Sequence, residues 1–274
     1  LSGASAKAHQ AAAGALHALG HDREEHQQAI VAAGGIEAFA TLMKMGNAKV
    51  QELVATALAS LDSGIAYQTQ IIEAGCVPPL IALLQTTRGS AAAQLAAAHA
   101  VANAAASGTN AQNVIAKAGA LPLLIQLLRE GAAQKRAATA LGKLAQGNPQ
   151  IQTELMNSGG IPPLLSLLSG RNVEAKVEAA SAVAEMARDH LGNQTAIVKA
   201  GGIGPLLGLL ATSGRGSVEV QSQGMNALAQ LARENRDNQD QIAKQGGIEP
   251  IVGRLNESSA TVQSATAEAV SSRR

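Results

Sequence analysis

The amino-acid sequence predicts an all-α protein of thin helices stacked in an array, and three observations carry that prediction. The first is a glycine break that returns at a near-constant interval: Ala33-Gly34-Gly35, Ala74-Gly75-Cys76, Ala118-Gly119-Ala120, Ser158-Gly159-Gly160, Ala200-Gly201-Gly202 and Gln245-Gly246-Gly247. Its first glycines step by 41, 44, 40, 42 and 45 residues, and self-similarity at such a period marks a repeat architecture. The second is an aliphatic stripe of helical period in each interval. The third is composition. Of 274 residues 58 are alanine, and the aromatic residues are Tyr67 and Phe39 alone. A compact domain of this size fills its centre with large rings, whereas alanine lets helices approach closely and is the best helix former. β-Sandwiches, whose strands favour aromatic and β-branched residues, do not fit.

Each unit reads as three helices. A short first helix carries paired aliphatics just before the break: Ile30-Val31, Ile71-Ile72, Val114-Ile115, Leu155-Met156, Ile197-Val198 and the weaker Ile242-Ala243. Glycine ends it, because only glycine takes the left-handed cap conformation at little steric cost. A second helix follows at once, clearest in Val77-Pro78-Pro79-Leu80 and Ile161-Pro162-Pro163-Leu164. Seven of the eight prolines fall at this start, where a missing N–H costs no intrahelical bond. The third helix is the longest. Val50, Leu53, Val54, Ala57, Leu58 and Leu61 lie at offsets 0, 3, 4, 7, 8 and 11, one face of a 3.6-residue period. One column registers the copies: Leu16, Leu58, Val101, Leu141, Val183, Leu228 and Val270. In the second unit the stripe from Ala93 to Ala104 is almost pure alanine. Each missing methylene forgoes about 0.8 kcal/mol of burial, so this helix is expected to open first.

A short helix, a glycine break, a proline-led second helix and a long third helix every ~42 residues resemble the armadillo repeat. The HEAT repeat, with two helices per unit, does not call for the short helix before Gly-Gly. The resemblance covers essentially the whole chain and implies a right-handed α-solenoid superhelix of three-helix repeats. It divides residues 1–274 as a single array: a partial repeat 1–22, then 23–64, 65–108, 109–147, 148–190, 191–235 and 236–274. Leu1 at one end and Arg273-Arg274 at the other read as the edges of a segment of a longer protein.

In armadillo proteins the third helices line a concave groove that binds extended peptides. In importin-α-like members a Trp, with an Asn four residues later, grips basic peptides. The matching columns here are Gly14, Thr56, His99, Thr139, Ser181, Asn226 and Glu268, and Ala18, Ser60, Asn103, Lys143, Glu185, Gln230 and Ser272. Only Asn103 matches, and without rings there is no cation–π trough. The resemblance is therefore closer to scaffold-type members: vacuolar, plant U-box and ciliary armadillo proteins. It makes Thr56, Ser60, His99, Asn103, Thr139, Lys143, Ser181, Glu185, Asn226 and Gln230 the candidate groove residues, with main-chain contacts expected from Asn103, Gln230 and Asn226.

Composition narrows the partners. With 21 basic against 20 acidic residues there is no basic footprint for nucleic acid, and stacking platforms for single strands are missing. No apolar run nears the ~20 residues of a membrane span. The lone Cys76 cannot form an internal disulfide, which points to a reducing compartment: the cytoplasm, or the nucleus besides. Cys76 has no identifiable partner base and reads as a packed small residue. His17 and His21 share a helix face at i, i+4, but with Asp22, Glu25 and His26 they read as a solvated turn and not as a metal site. Gly202-Ile203-Gly204 imitates a phosphate loop but follows a helix, where a dinucleotide site needs a strand. Asn193-Gln194-Thr195 and Asn256-Glu257-Ser258 fit the glycosylation pattern by chance.

No catalytic constellation, cofactor motif or metal set can be assembled, and no small-molecule substrate is implied. The expected function is a non-enzymatic scaffold whose third-helix groove holds an extended segment of a partner protein. The alternative is the recognition arm of a larger enzyme such as a U-box ubiquitin ligase. A nuclear-import adaptor is the third reading.

Overall fold

All six break glycines are left-handed, with φ between +75° and +86°, so the chain turns between first and second helices as the sequence requires. The turn closes in a recurring way. The N–H of Gly202 reaches back 3.0 Å to the carbonyl of Ile197, and that of Cys76 reaches 3.1 Å to Ile71. This six-to-one bond satisfies a carbonyl that the helix end would otherwise orphan. The slot after the break admits only small residues: a Cβ at Gly202 would stand 2.7 Å from Ile197 Cγ2. Cys76 and Ala120 occupy it elsewhere, both fully buried.

The computed structural model describes residues 3–61, 64–85, 90–129, 132–212 and 216–255, and among them it contains 18 α-helices and no strand. Val270, Glu268, Ser272, Asn256-Glu257-Ser258, Leu1 and Arg273-Arg274 lie outside the described residues, as does the expected third helix of the 236–274 unit. The all-α fold class stands as predicted. No single helix among the described residues is long and apolar enough to cross a membrane.

The chain divides into two compact units, Leu1–Leu144 and Ala145–Arg274. The first begins with α1 (Gly3–Gly20), followed by the triplets α2 (Glu24–Ala32), α3 (Gly35–Met45), α4 (Ala48–Ser60) and α5 (Ile65–Glu73), α6 (Val77–Leu83), α7 (Ala91–Ala105). It ends with α8 (Thr109–Lys117), α9 (Ala120–Arg129) and α10 (Gln134–Ala145). Here α4 packs between α1 and α7, with α3 beneath it and α6 beneath α7. The second holds α11 (Pro149–Asn157), α12 (Ile161–Leu168), α13 (Val173–Ala187) and α14 (Leu191–Lys199), α15 (Ile203–Leu210), α16 (Ser217–Ala232), then α17 (Arg236–Lys244) and α18 (Ile248–Leu255). In it α13 packs on α16, and α12 and α15 support them. The eighth proline, Pro149, also opens a helix, α11.

The registering column is buried at Leu58, Val101, Leu141, Val183 and Leu228, and half-buried at Leu16 in the first helix of the chain. The single stripe read from the sequence is too narrow. α4 also buries Ala55 and Ala59, and α7 also buries Ala98, Ala102 and Ala105. A third helix with neighbours on two sides needs small residues on both flanks, and alanine reads as neutral in a search for apolar periodicity. Of each aliphatic pair in the first helices, the member four residues before the break is buried: Ile30, Ile71, Ile115, Leu155, Ile197 and Ile242.

A column of glutamines ties the helix ends together. Gln27, Gln68, Gln112, Gln152, Gln194 and Gln239 each lie seven residues before the break, and all but the last are buried. Gln27 Nε2 donates to the carbonyls of Gly20 (3.0 Å) and Ser60 (2.8 Å), at the ends of α1 and α4. Gln68 donates to Leu61, Gln112 to Lys143, Gln152 to Glu185 and Arg188, Gln194 to Ala187 and Gln239 to Ala232. The acceptors are last-turn carbonyls of third helices, or the cap residue just beyond, so one side chain satisfies groups that burial would leave costly.

Candidate functional site

In the first unit the third helices bring distant residues to one open cleft of about 460 Å³. Such a volume falls within the range of ligand-holding clefts, ~300–1,000 Å³. From α1 comes His17, with His21 and Asp22 in the turn that follows; from α4, Thr56 and Ser60; from α7, Leu95 and His99; from α10, Arg136. Ala59, Ala92 and Ala96 complete the lining, so small residues bring the backbone close to any occupant. Leu95 is 39% exposed and supplies an apolar contact.

The hydrogen bonds fix what each group offers. Thr56 Oγ1 donates to the Glu52 carbonyl at 2.8 Å and Ser60 Oγ to the Ala57 carbonyl at 2.8 Å. Both hydroxyl protons are thus engaged, and the oxygens are left to accept. His17 Nδ1 lies 3.3 Å from Ser60 Oγ and is therefore the donor there. His21 Nδ1 lies 2.8 Å from Asp22 Oδ2 and donates to that carboxylate. In their neutral forms both rings consequently present a bare Nε2. The two rings meet edge to face, 5.5 Å between centroids. Burial, and then the charge of His21, hold the His17 pKa below its ordinary 6.5. One turn before Thr56, Glu52 accepts from Lys49 and from Ser90 Oγ (2.6 Å), and these bonds hold its carboxyl below the usual range.

The candidate groove residues are placed as follows. Thr56, Ser60 and His99 line this cleft. Asn103 sits one turn beyond His99, and its Nδ2 donates to the Ala59 carbonyl at 2.9 Å, tying α7 to α4. Thr139 Oγ1 bonds to its own helix at the Lys135 carbonyl, and Lys143 is exposed; both share α10 with Arg136. The second unit holds the other four. Ser181 is half-buried on α13, and Glu185 is clamped by Arg188 through two 3.1 Å bonds. Asn226 accepts from Gln230 on α16 at 3.4 Å. Gln230 is corrected from groove contact to interior residue: it is 2% exposed, and its Oε1 has no partner among the described residues.

Other sequence readings also change or sharpen. His21 and Asp22 stand in the expected solvated turn after α1, and with His17 they form one wall of the cleft. Arg136, which no spacing argument singled out, forms another. Asn193 is fully buried with Nδ2 bound to the Gln152 and Met186 carbonyls, which leaves no glycosylation acceptor there. Cys76 is fully buried, and burial pushes its thiol up to about 11, so thiolate chemistry is suppressed. Among the described residues no three His, Cys, Asp or Glu side chains converge as metal ligands.

Comparison with known proteins places this arrangement. Residues 23–61 match the family described as Armadillo/beta-catenin-like repeat, and residues 110–235 match the SIL1/FES1/HPBP1 C-terminal domain. No curated protein matches the sequence. Among solved structures, one engineered protein is 33% identical with TM-score 0.87, over 96% of this chain and 64% of its own length. A second engineered protein is 31% identical with TM-score 0.81, over 87% of this chain and 96% of its own. A designed armadillo repeat protein in complex with the peptide (KR)4 is 23% identical with TM-score 0.78, over 87% and 99%.

Proposed function

We propose that the chain is a protein-binding scaffold that holds an extended peptide segment along its third helices, a reading supported by the armadillo repeat match over residues 23–61 and by the fold shared with designed armadillo repeat proteins. The observation that supports this reading is the cleft of the first unit, where residues from four third helices meet although they are up to 119 positions apart in sequence (His17 to Arg136). Support also comes from the designed armadillo protein solved with a peptide, which shares the fold. The groove side chains differ from unit to unit while the buried column stays aliphatic, as suits a non-repetitive partner. The groove columns carry hydroxyls, amides and a histidine in place of Trp, which favours the scaffold-type members over import adaptors. No catalytic step is assigned to these residues.

Panning a random peptide library against the purified chain tests the proposal. Thr56→Arg fills the cleft, and Glu73→Arg, at an exposed position on the first helix α5, is the control. Selected peptides should lose at least about tenfold in affinity for the filled cleft and keep it for the control, an effect on the scale of one interface anchor. Equal affinity for parent and Thr56→Arg would remove the groove as the binding surface.

A further inference from the structure

The cleft of the first unit carries a chemical preference, and it rests on the reading of that cleft as a peptide groove. We infer that its occupant is an acidic peptide, whose Asp or Glu carboxylate sits between Arg136 and the histidines and draws a proton onto His17 as it binds. The sign of the charge comes from the walls. Arg136 is permanently cationic and presents a planar fork matched to a carboxylate. Its helix, α10, also carries Lys135 and Lys143 and has no acidic residue. On α7 the only ionisable residue is His99. On α4 the charges are Lys49 and Glu52, and the Glu52 carboxylate is already held by Lys49 and Ser90. From α1 comes His17, and the α1–α2 turn adds His21, Asp22, bound to His21, and Arg23. The helix α2, packed against α1, brings Glu24, Glu25 and His26, the last bonded to the Leu19 carbonyl.

The donor inventory points the same way. The protons of Thr56 and Ser60 are spent on backbone carbonyls, so only Arg136 and the imidazoles can donate to an occupant. His17 and His21 use Nδ1 internally, and His17 gains an outward donor, Nε2–H, on protonation. An empty cleft keeps His17 neutral around pH 7, because burial and His21 disfavour its cation. A carboxylate lodged beside these rings reverses that balance, so binding and proton uptake are linked. No Phe, Tyr or Trp ring is among the lining residues to hold a cation by its face, and Phe39 is buried in α3.

Fluorescence anisotropy with three labelled ten-residue peptides tests the inference: one rich in Glu, one with Gln at each Glu position and one with Lys there. The Glu peptide should bind at least about tenfold tighter than the other two, and about fivefold tighter at pH 6 than at pH 8. Arg136→Glu should cost at least about tenfold, and His17→Gln with His21→Gln should flatten the pH dependence while circular dichroism stays unchanged. His99→Gln, a milder exchange, should weaken the Glu peptide with no loss of helicity. Equal binding of the Glu and Gln peptides, or indifference to Arg136→Glu, overturns the acidic preference. If the Lys peptide binds and Thr56→Arg abolishes it, the groove reading survives and the acidic preference falls. If neither these peptides nor any library peptide binds, both fall.

Discussion

The helices α4 and α7 do the same job in the first unit, and they do it with different material. α4 buries two valines, one leucine and three alanines; α7 buries one valine and eight alanines. The buried side chains differ by only two carbons in total, about 1.6 kcal/mol at ~0.8 per carbon. Ala-rich α7 recovers a similar amount from intrinsic helix propensity, at a few tenths of a kcal/mol per residue. The sequence-based expectation that α7 opens first therefore rests chiefly on Leu61, the buried residue that caps α4. Counting one stripe overlooked the alanines buried on its other flank. What differs between the two helices is how each can fail: α4 depends on filled volume, α7 on close approach.

Truncation should separate them most. Leu58→Ala in α4 is expected to cost about 2–5 kcal/mol in urea unfolding, the range for emptying a packed leucine site. Val101→Ala in α7 removes two carbons where Leu58→Ala removes three, and should cost about 1.6 kcal/mol. If the two losses match, the contrast between filled volume and close approach is broken. Enlargement should act in the opposite sense. Ala97 is fully buried, and Ala97→Leu is expected to cost about 1–3 kcal/mol by forcing α7 away from its neighbours. A neutral Ala97→Leu would show that the spacing is slack. Hydrogen exchange by mass spectrometry should then find residues 91–105 and 48–60 equally protected, and faster exchange in 91–105 would restore the weak-link picture.

The smallest effect concerns the caps. Asn47 Oδ1 accepts from Val50 N–H and Ser90 Oγ from Ala93 N–H, so Asn47→Ala and Ser90→Ala should each cost about 1 kcal/mol. Ser90 also donates to Glu52 of α4, so its loss should exceed that of Asn47 at neutral pH. Glu52 has a folded-state pKa below its unfolded 4.5. Its contribution is thus present above that value and is lost as pH falls through the folded-state pKa. The excess of Ser90→Ala over Asn47→Ala should disappear across the same acid window. An excess that persists there would mean that the Ser90–Glu52 bond contributes nothing.

Much of this was legible in the chain. The break glycines, the prolines and the registering column are local constraints, and local backbone rules read them well. The glutamine column keeps the steps 41, 44, 40, 42 and 45 and was equally visible, yet a search for charge and nucleophiles passes over neutral amides. The cleft was only half legible. Thr56, Ser60 and His99 followed from register, but His17 and Arg136 become neighbours of them only once successive third helices stack. Gln230 shows the limit from the other side. Its column places it in the groove, and tertiary packing buries it.

The glutamine and asparagine bonds have a consequence for how the chain acquires its structure. Those linking a helix to its counterpart in the next repeat, or a third helix to its own first helix, span short, similar distances in sequence. Gln112 to Lys143 covers 31 residues, Gln152 to Glu185 covers 33, Asn193 to Gln152 covers 41 and Asn103 to Ala59 covers 44. A chain emerging from the ribosome completes each clamp as soon as the next few dozen residues are free. Low contact order of this kind favours fast folding and lets ordering begin in any repeat. The amides that settle buried carbonyls are thereby also local constraints on assembly, each closed within one repeat or between neighbours.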